Sequence, residues 1–353
     1  MVLPISPITA AWLFSAAVWC GFSLPVAAET LRIQTLDEPG SIAVTGLERL
    51  AEDLRSASGG EIDMVVLPAR SAVGPTATLD AMSSGAIDGH YSSPAYFAGR
   101  DEAFTLLGDT LALYPDPEAR DRWLAEGGGL ELARKLYDRH GARLVGFVHW
   151  PEEWLVSRRP ASIVADLSDL KVRAPDGPVS DLLTKVFARP VVLGGRDTLA
   201  ALDRGTVDAA DWASLAGNID DGVHAHAPYA VHARHSMPTT ELSLSNAAWE
   251  RLSPSARRLL ENRIAQFSRT QRAAFDAEEA AARLRARQQG VTLLEMSPQS
   301  QQELRRKSME VFEQRGAGSA AAAEIAASHR TYLERLRLLE PARPAREAAG
   351  GSG

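Results

Sequence analysis

A twelve-residue phrase occurs twice in this chain, and it limits the folds that the chain can adopt. Residues 78–89 (TLDAMSSGAIDG) and residues 198–209 (TLAALDRGTVDA) share a Thr-Leu start, a central Gly and a late Asp. In each copy, a Thr placed to cap a helix, apolar residues at helical spacing and a stopping Gly predict a short helix, after which a β-branched residue and Asp open a strand. The repeat indicates two similar α/β halves, and a gap between such halves is a usual place for a small ligand.

The chain has 353 residues, a length typical of about two domains. The pattern over residues 31–67 predicts a β-α-β opening and therefore a parallel sheet. We predict that residues 29–150 form a first lobe together with about 240–253. Residues 151–239 form a second lobe together with about 291–340.

A long helix is predicted from residue 254 to 289. Ser253 caps it, Pro254 occupies its first position, and nothing stops it before Gly290. At 1.5 Å per residue the helix is about 54 Å long, more than the roughly 30 Å width of a small domain, so we expect it to run along both lobes. Residues 341–353 contain Pro, Ala and Gly with little to bury, and we predict that this tail is disordered.

The first 28 residues have the composition of an export leader. Residues 1–28 carry no charged side chain, and small residues at Val26 and Ala28 predict cleavage after Ala28. The alternative, an uncleaved membrane anchor, is disfavoured because the apolar run at 8–22 is short for a span of roughly 20 residues. The only cysteine, Cys20, lies inside the leader, so the exported chain has no disulfide or thiolate nucleophile. We predict a periplasmic protein.

Charge and motifs exclude several classes of function. The formal net charge is −7, with 38 basic and 45 acidic residues, which argues against nucleic acid as a partner. The sequence lacks the Gly-x-Ser-x-Gly, His-Glu-x-x-His and Cys-x-x-Cys patterns of common catalytic sites. His224, His226, His232 and His235 are close enough in sequence to consider a metal site, but we interpret them as solvated loop histidines.

Several phrases in a fixed order resemble the solute-binding proteins of TRAP transporters, the tripartite ATP-independent periplasmic carriers. Residues 166–173 (DLSDLKVR) are similar to a family signature that ends in Lys-x-Arg, and the two repeat phrases are similar to the ends of its paired helices. Residues 93–101 (SPAYFAGRD), and Asp211-Trp212 with Asn218, are similar to the branch that binds 2-oxo acids and related small carboxylates. The resemblance implies an α/β, two-lobed periplasmic solute-binding protein fold with the long helix spanning both lobes.

The resemblance also implies roles for individual residues. Arg173 matches the arginine that clamps a substrate carboxylate, and a guanidinium fits a carboxylate with two parallel N–H donors. Tyr96 and Trp212 match aromatic positions of the family's cleft, and Trp150 is expected to help shape the pocket. Asn218 is expected to bond a ligand hydroxyl or oxo group. Without the resemblance, Arg173 also fits a surface charge, Tyr96 and Trp212 also fit core packing, and Asn218 also fits an ordinary cap or turn residue.

Two departures from the family pattern affect the expected ligand. Asp211 stands where some relatives hold a cation, but Met237 occupies the place of the second carboxylate, so we predict no metal. Glu152 and Glu153 lie where the branch has glycines and a Gln. Our hypothesis is that one of them bonds a hydroxyl or amino group of the ligand or pairs with Arg173 in the empty cleft; the alternative is a solvent-facing hinge carboxylate.

The sequence therefore predicts a monomeric periplasmic receptor that captures a small organic acid and delivers it to TRAP membrane permease subunits. We expect neither a cofactor nor an enzymatic activity, because no nucleophile–base pair is visible. Two alternatives remain open. One is an extracytoplasmic sensor module that reports ligand occupancy, and the other is a metal-binding protein or an enzyme that uses Asp211 as general base in the same cleft.

Overall fold

The structure is a computed structural model that describes residues 28–340, without the side chain of Arg196. The predicted leader, residues 1–28, lies outside the described residues except for Ala28, and the predicted tail, residues 341–353, lies outside them entirely. Within the described part, no helix combines the length and the apolar character needed to cross a bilayer.

The described residues form a mixed α/β structure. The strands are β1 Glu29–Thr35, β2 Ile62–Leu67, β3 Gly89–Ser92, β4 Ala142–Val148, β5 Trp154–Ser157, β6 Lys171–Ala174, β7 Arg189–Val192, β8 Ala209–Ala213, β9 Tyr229–His232, β10 Thr240–Ser245 and β11 Thr292–Glu295. The helices are α1 Ile42–Ala57, α2 Thr78–Ser83, α3 Glu102–Gly108, α4 Pro117–Glu126, α5 Gly129–Arg139, α6 Pro178–Lys185, α7 Gly195–Asp203, α8 Leu215–Asp220, α9 Asn246–Arg251, α10 Pro254–Gln288, α11 Pro298–Gly316 and α12 Ala320–Arg335.

The strands build two separate sheets. The first has the order β2-β1-β3-β10-β4, and the second has the order β11-β9-β5-β8-β6-β7. The chain passes to the second sheet between β4 and β5, returns to the first between β9 and β10, and reaches the second again through α10. The first two connections, residues 149–153 and 233–239, are called the crossing segments below. The predicted two-lobed α/β architecture is confirmed, and it leaves an interlobe gap beside the crossing segments.

The two copies of the repeated phrase form equivalent units in the two sheets. α2 leads through Gly85 into β3, and α7 leads through Gly205 into β8, with both glycines at positive φ (75° and 68°). β3 lies between parallel β1 and antiparallel β10. β8 lies between parallel β6 and antiparallel β5. Each copy therefore supplies a strand inside its sheet, which pairs with a neighbouring strand on both sides.

The late Asp of each copy fastens its strand to the parallel neighbour. The side chain of Asp88 accepts a hydrogen bond from the main-chain N–H of Arg32 at 3.0 Å, and that of Asp208 accepts one from Lys171 at 3.0 Å. The main-chain N–H groups of the two Asp residues donate in return to the carbonyls of Arg32 and Lys171, at 3.0 and 2.7 Å. The repeat thus encodes a clasp between strands.

The predicted capping role of the Thr in each copy is wrong. The residues that cap α2 and α7 are Ala77 and Gly194. The hydroxyl of Thr78 donates backwards to the carbonyl of Pro75 at 3.1 Å, and that of Thr198 donates to the carbonyl of Gly194 at 3.2 Å. Each hydroxyl reaches a carbonyl one turn earlier because the chain before each Thr is already helical.

α10 confirms the predicted long helix. It has 35 residues and begins after Ser253, whose side chain accepts from the N–H of Ala256 at 3.1 Å. The helix packs on β4 and α1 with its first half and on α8 and β11 with its second half. Its buried apolar side chains form two groups, one along its first half and one near its C-terminal end: Ala256, Leu260, Ile264 and Phe267, then Ala282 and Ala286. The helix is therefore anchored in both lobes.

The segment 291–340, predicted to belong to the second lobe, is divided between the lobes. β11 joins the second sheet, whereas α11 packs both on α6 of the second lobe and on residues 111–113 and α3 of the first. α12 instead packs on α3 and α5. His329 of α12 stacks on Trp123 with 3.6 Å between ring centroids and hydrogen-bonds the Tyr114 hydroxyl at 2.8 Å. For α12 the prediction is wrong, because its buried side chains fit an aromatic pocket of the first lobe.

The Asp clasp gives a test of the repeat. We expect Asp208→Ala to lower the free energy of unfolding by about 1 kcal/mol, because the Lys171 N–H loses its side-chain acceptor. Asp88→Ala should cost about 2 kcal/mol, because Asp88 also accepts from the guanidinium groups of Arg32 and Arg251. Urea unfolding measures both losses. Asp208→Asn keeps an oxygen acceptor and should lose less; equal losses for Ala and Asn contradict the clasp.

Candidate functional site

The interlobe gap contains a cavity of about 370 Å³, a size typical of small-molecule sites. It lies against the crossing segments, and both lobes contribute to its wall. Six of the seven residues predicted to bind ligand line it: Tyr96, Trp150, Glu153, Arg173, Asp211 and Trp212. Larger hollows, of about 530 and 510 Å³, lie between α1 and α10 and beside α5 and α12, but none of the residues predicted to bind ligand lines either of them.

Arg173 is the basic residue of the cavity wall. It stands on β6, where its Nε donates to the carbonyl of Leu193 at 3.2 Å and its Nη1 donates to the carbonyl of Asp211 at 2.6 Å. Its guanidinium carbon lies 5.4 Å from the ring centroid of Trp212. Among residues 28–340, no carboxylate forms an ion pair with it within 4 Å. These two carbonyls orient the guanidinium but do not neutralise its charge. They use two of its five N–H donors, so the others remain for an anion.

Three carboxyl groups of the cavity wall form a cluster. Asp109 follows α3, Glu153 lies in the segment between β4 and β5, and Asp211 lies on β8. The Ser236 hydroxyl lies 2.7 Å from Asp109 Oδ2 and 2.9 Å from Glu153 Oε2. A further hydrogen bond joins the Glu153 and Asp211 carboxyl groups. Two far-separated parts of the chain meet here because both crossing segments pass this point.

Burial raises the pKa of each of these carboxyl groups above its usual value. The pKa of Asp109 is raised to about 6 by burial and then by the charge of Glu153. The pKa of Asp211 is also raised to about 6, again mainly by burial, although Glu153 and Arg173 act in the opposite direction. The pKa of Glu153 is raised well above its usual value by burial and by Asp211. The cluster therefore retains protons at a pH where exposed carboxylates are ionised.

His235 supports Asp211 from behind the cavity wall. Its Nε2 lies 2.7 Å from Asp211 Oδ1, and the residue is buried. Burial lowers the pKa of His235 to about 4 despite the nearby charge of Glu153. The imidazole is therefore neutral at pH 7, and its N–H donates to the Asp211 carboxylate. This contact orients Asp211 without supplying a charge to the cavity.

The four clustered histidines have separate partners rather than a common ligand. The prediction of solvated loop histidines is wrong for His224, His232 and His235, which are buried, whereas His226 is not. His224 contacts the Ala227 carbonyl, and His232 contacts the Glu152 and Glu295 carboxylates. His235 contacts the Asp211 carboxylate, and His226 contacts the Asp203 carboxylate. Within residues 28–340, no group of three or more His, Cys, Asp or Glu side chains is placed to hold a metal ion.

Asn218 does not lie at the cavity. It is fully buried on α8, and its side-chain Nδ2 donates to the carbonyl of Trp154 at 3.1 Å. The predicted ligand contact is therefore absent from this arrangement, because α8 packs Asn218 against the start of β5. We therefore expect its role to be structural.

The two neighbouring glutamates have different environments. Glu152 Oε2 lies 2.6 Å from Nε2 of His232, which stacks on Trp154 with 4.3 Å between ring centroids. Glu153 lines the cavity, and neither glutamate is ion-paired with Arg173 in the part of the chain that the structure describes. Of the sequence hypotheses, a pairing with Arg173 is not seen, and Glu153 is the glutamate placed to meet a ligand.

Sequence reasoning missed Asp109 and Ser236 and considered His235 only as part of a histidine run. Asp109 and Ser236 are separated by 127 residues, and no local pattern marks either of them. Met237, expected only to replace a metal ligand, donates its main-chain N–H to Asp109 Oδ1 at 2.8 Å. The cluster forms through contacts between distant segments, so no motif in the sequence could have indicated it.

Comparison with known proteins identifies the family. The model of the family described as bacterial extracellular solute-binding protein, family 7, matches residues 34–317. The chain belongs to this family. A monocarboxylate 2-oxoacid-binding periplasmic protein of Nostoc sp. is 23% identical over 306 residues, which are 82% of this chain and 80% of that protein. The chain is accordingly a solute-binding protein of a transport family.

Solved structures share the fold. A TRAP periplasmic solute-binding protein from Rhodobacter sphaeroides, in an apo open form, is 28% identical, with a TM-score of 0.80 over 88% of this chain and 99% of that chain. A TRAP solute-binding protein from Rhodoferax ferrireducens with bound malonate is 19% identical, with a TM-score of 0.75 over 87% and 99% of the two chains. The resemblance predicted from the sequence is confirmed.

The raised pKa of Asp109 predicts a pH-dependent stability. Its stabilising contribution is complete below pH 4 and is lost as the pH rises through about 6, because the folded state binds the proton more tightly. Asp109→Asn keeps the acceptor for Met237 and cannot ionise. We expect it to gain about 1–2 kcal/mol over wild type at pH 8 and nothing at pH 4.

Chemical unfolding of both proteins across this pH range measures the difference. Glu48→Gln, a change at an exposed carboxylate of α1, is the matched control and should show a flat difference. A difference for Asp109→Asn that is equally flat contradicts the assignment of a retained proton to this cluster.

The structural role of Asn218 gives a second test. We expect Asn218→Ala to lower the free energy of unfolding by about 1–2 kcal/mol, because the Trp154 carbonyl loses its donor in a buried place. The affinity for any solute of the cavity should change by less than about twofold, since Asn218 does not line it. Unfolding and calorimetric titration of the same variant separate the two effects; a large loss of affinity in a stable variant contradicts the structural role.

Proposed function

We propose that this protein is a periplasmic receptor that captures a small organic acid in the interlobe cavity and delivers it to TRAP permease subunits in the membrane. The observation that carries the proposal is the state of Arg173. Its guanidinium lines a cavity between the lobes, is oriented by two main-chain carbonyls and has no carboxylate partner among the described residues. Such a cation is complementary to a carboxylate that arrives from solution.

The remaining wall suits a small solute. Trp212 packs beside the guanidinium, Tyr96 is 40% exposed at the cavity edge, and Trp150 contacts Phe275 of α10 with 5.4 Å between ring centroids. These rings offer apolar contact area with few rotatable bonds, so little conformational entropy is lost on binding. The neighbouring protein from Nostoc is named for monocarboxylate 2-oxo acids, and the Rhodoferax structure holds malonate. Both names support a carboxylate ligand.

The proposal includes the location and state of the receptor. The leader is cleaved after Ala28, the exported protein acts as a monomer, and binding of the solute breaks no covalent bond in it. The family description as an extracellular solute-binding protein supports the export. A receptor of this kind needs a reversible affinity near micromolar, or about −8 kcal/mol, so that the solute is later released.

Replacement of Arg173 tests the proposal. We expect Arg173→Met to lose at least about 100-fold in affinity for carboxylates, because two charge-assisted hydrogen bonds disappear. Isothermal titration with 2-oxo acids, 2-hydroxy acids, 2-amino acids and dicarboxylates measures the affinity, and tryptophan fluorescence reports on the cavity rings. Arg189→Met is the matched control, because Arg189 lies on the neighbouring strand β7 and is exposed, paired with Asp169 at 2.6 Å.

The result that overturns the proposal is equally definite. Either full affinity in a folded Arg173→Met protein or the absence of binding by wild type across all four classes of acid would do so. Thermal unfolding of each variant without ligand verifies that the loss of affinity is not a loss of fold.

A further inference from the structure

The charges around the cavity do not balance for a purely anionic solute. Among the described residues, its wall contains one guanidinium, that of Arg173, and four carboxyl groups, those of Asp109, Glu153, Asp176 and Asp211. A simple carboxylate gains from Arg173 but also approaches this carboxyl excess, and like charges at short range are unfavourable. A solute that satisfies the whole wall therefore carries positive charge as well as negative charge.

The hydrogen bonds of the carboxyl cluster also indicate a missing positive charge. The Ser236 hydroxyl has one proton, yet its oxygen lies within hydrogen-bond distance of both Asp109 and Glu153. One of those contacts therefore needs a proton on a carboxyl group, and the bond between Glu153 and Asp211 needs another donor of the same kind. Without a solute, the cluster substitutes protons for a missing cation.

The nearby aromatic rings also suit a cation. Tyr96, Trp150 and Trp212 line the same cavity, and the face of Trp212 already lies 5.4 Å from the guanidinium of Arg173. Aromatic faces combined with carboxylates are the groups that proteins use to bind ammonium ions. A metal ion is the other cation to consider, but residues 28–340 place no group of three ligating side chains for one.

We propose that the preferred solute is a zwitterion, a carboxylate that carries a cationic nitrogen a few bonds away. This inference rests on the proposed function, since Arg173 holds the carboxylate end. The nitrogen lies against Glu153 and Asp109 and is covered by the aromatic rings. Asp211 sets the short separation, because its carbonyl accepts from Arg173 while its carboxyl group bonds Glu153. On binding, the nitrogen takes the place of a proton held by the cluster.

Matched pairs of probes test this inference. Glycine betaine and 3,3-dimethylbutanoate are isosteric and differ in the charge of one atom. Leucine and 4-methyl-2-oxopentanoate, a second pair, share a carbon skeleton and differ in an ammonium group against an oxo group. We expect the zwitterion of at least one pair to bind at least about tenfold more tightly than its anionic partner in isothermal titration at pH 7.5. Equal affinity within both pairs, or tighter binding of the anions, overturns the inference.

A variant identifies the group that recognises the nitrogen. Glu153→Gln keeps the shape of the side chain and should reduce the preference for the zwitterion to less than about threefold, while the affinity for the anion stays equal or rises. Glu152→Gln is the matched control, because Glu152 contacts His232 instead of lining the cavity, and it should retain the preference. Retention of the preference in Glu153→Gln overturns the inference.

Proton release gives an independent readout. Titrations in two buffers with different ionisation enthalpies should show that the zwitterion releases up to about one proton from wild type and fewer from Glu153→Gln. Anions that bind through Arg173 without any zwitterion preference would overturn the inference and leave the proposed function intact. Failure of all four probes and of the wider acid panel would overturn both.

Discussion

The guanidinium of Arg173 is the fixed point around which the cleft is arranged. The register of the second sheet, with Arg173 beside Ala210, places the carbonyl of the next residue, Asp211, 2.6 Å from Nη1. A carboxylate in that place would have to be displaced by every incoming anion, whereas a carbonyl orients the cation and leaves its charge for the solute. Recognition therefore depends on strand pairing as much as on the side chain.

The carboxyl cluster shows how a stable fold accommodates an unfavourable arrangement at its binding site. Asp109 accepts main-chain N–H groups of Leu111 and Met237, and Ser236 adds its hydroxyl. These donors reduce the cost of burying the carboxyl groups, but burial and, after it, mutual repulsion still raise their pKa values. Such local conflicts are expected where a site is complementary to something other than the protein itself.

The parts of the fold that could be predicted are those determined by residues close together in the sequence. The helix–Gly–strand repeat at 78–89 and 198–209 indicated two halves because helix stops and strand starts are local signals. Arg173, Tyr96 and Trp212 were placed in the cleft through motifs of a few residues each. Their function as ligand contacts stays a prediction.

The parts that the sequence did not reveal depend on contacts between distant segments. Asp109 and Ser236 meet only because the path from β9 to β10 runs beside the end of α3, and no spacing rule encodes that path. Asn218 was misplaced because side-chain direction on α8 is set by packing against Trp154. α12 was assigned to the wrong lobe because helical periodicity does not specify the partner of the apolar face.

The long helix has a mechanical consequence. α10 buries side chains along its first half, as far as Gln271, and again near its C-terminal end, but the stretch from Arg272 to Ala281 contains no buried residue. A long helix can curve gently and still keep its main-chain hydrogen bonds. A change in the angle between the lobes would therefore have to be taken up by bending of this half-exposed stretch, where Phe275 packs on Trp150 of a crossing segment.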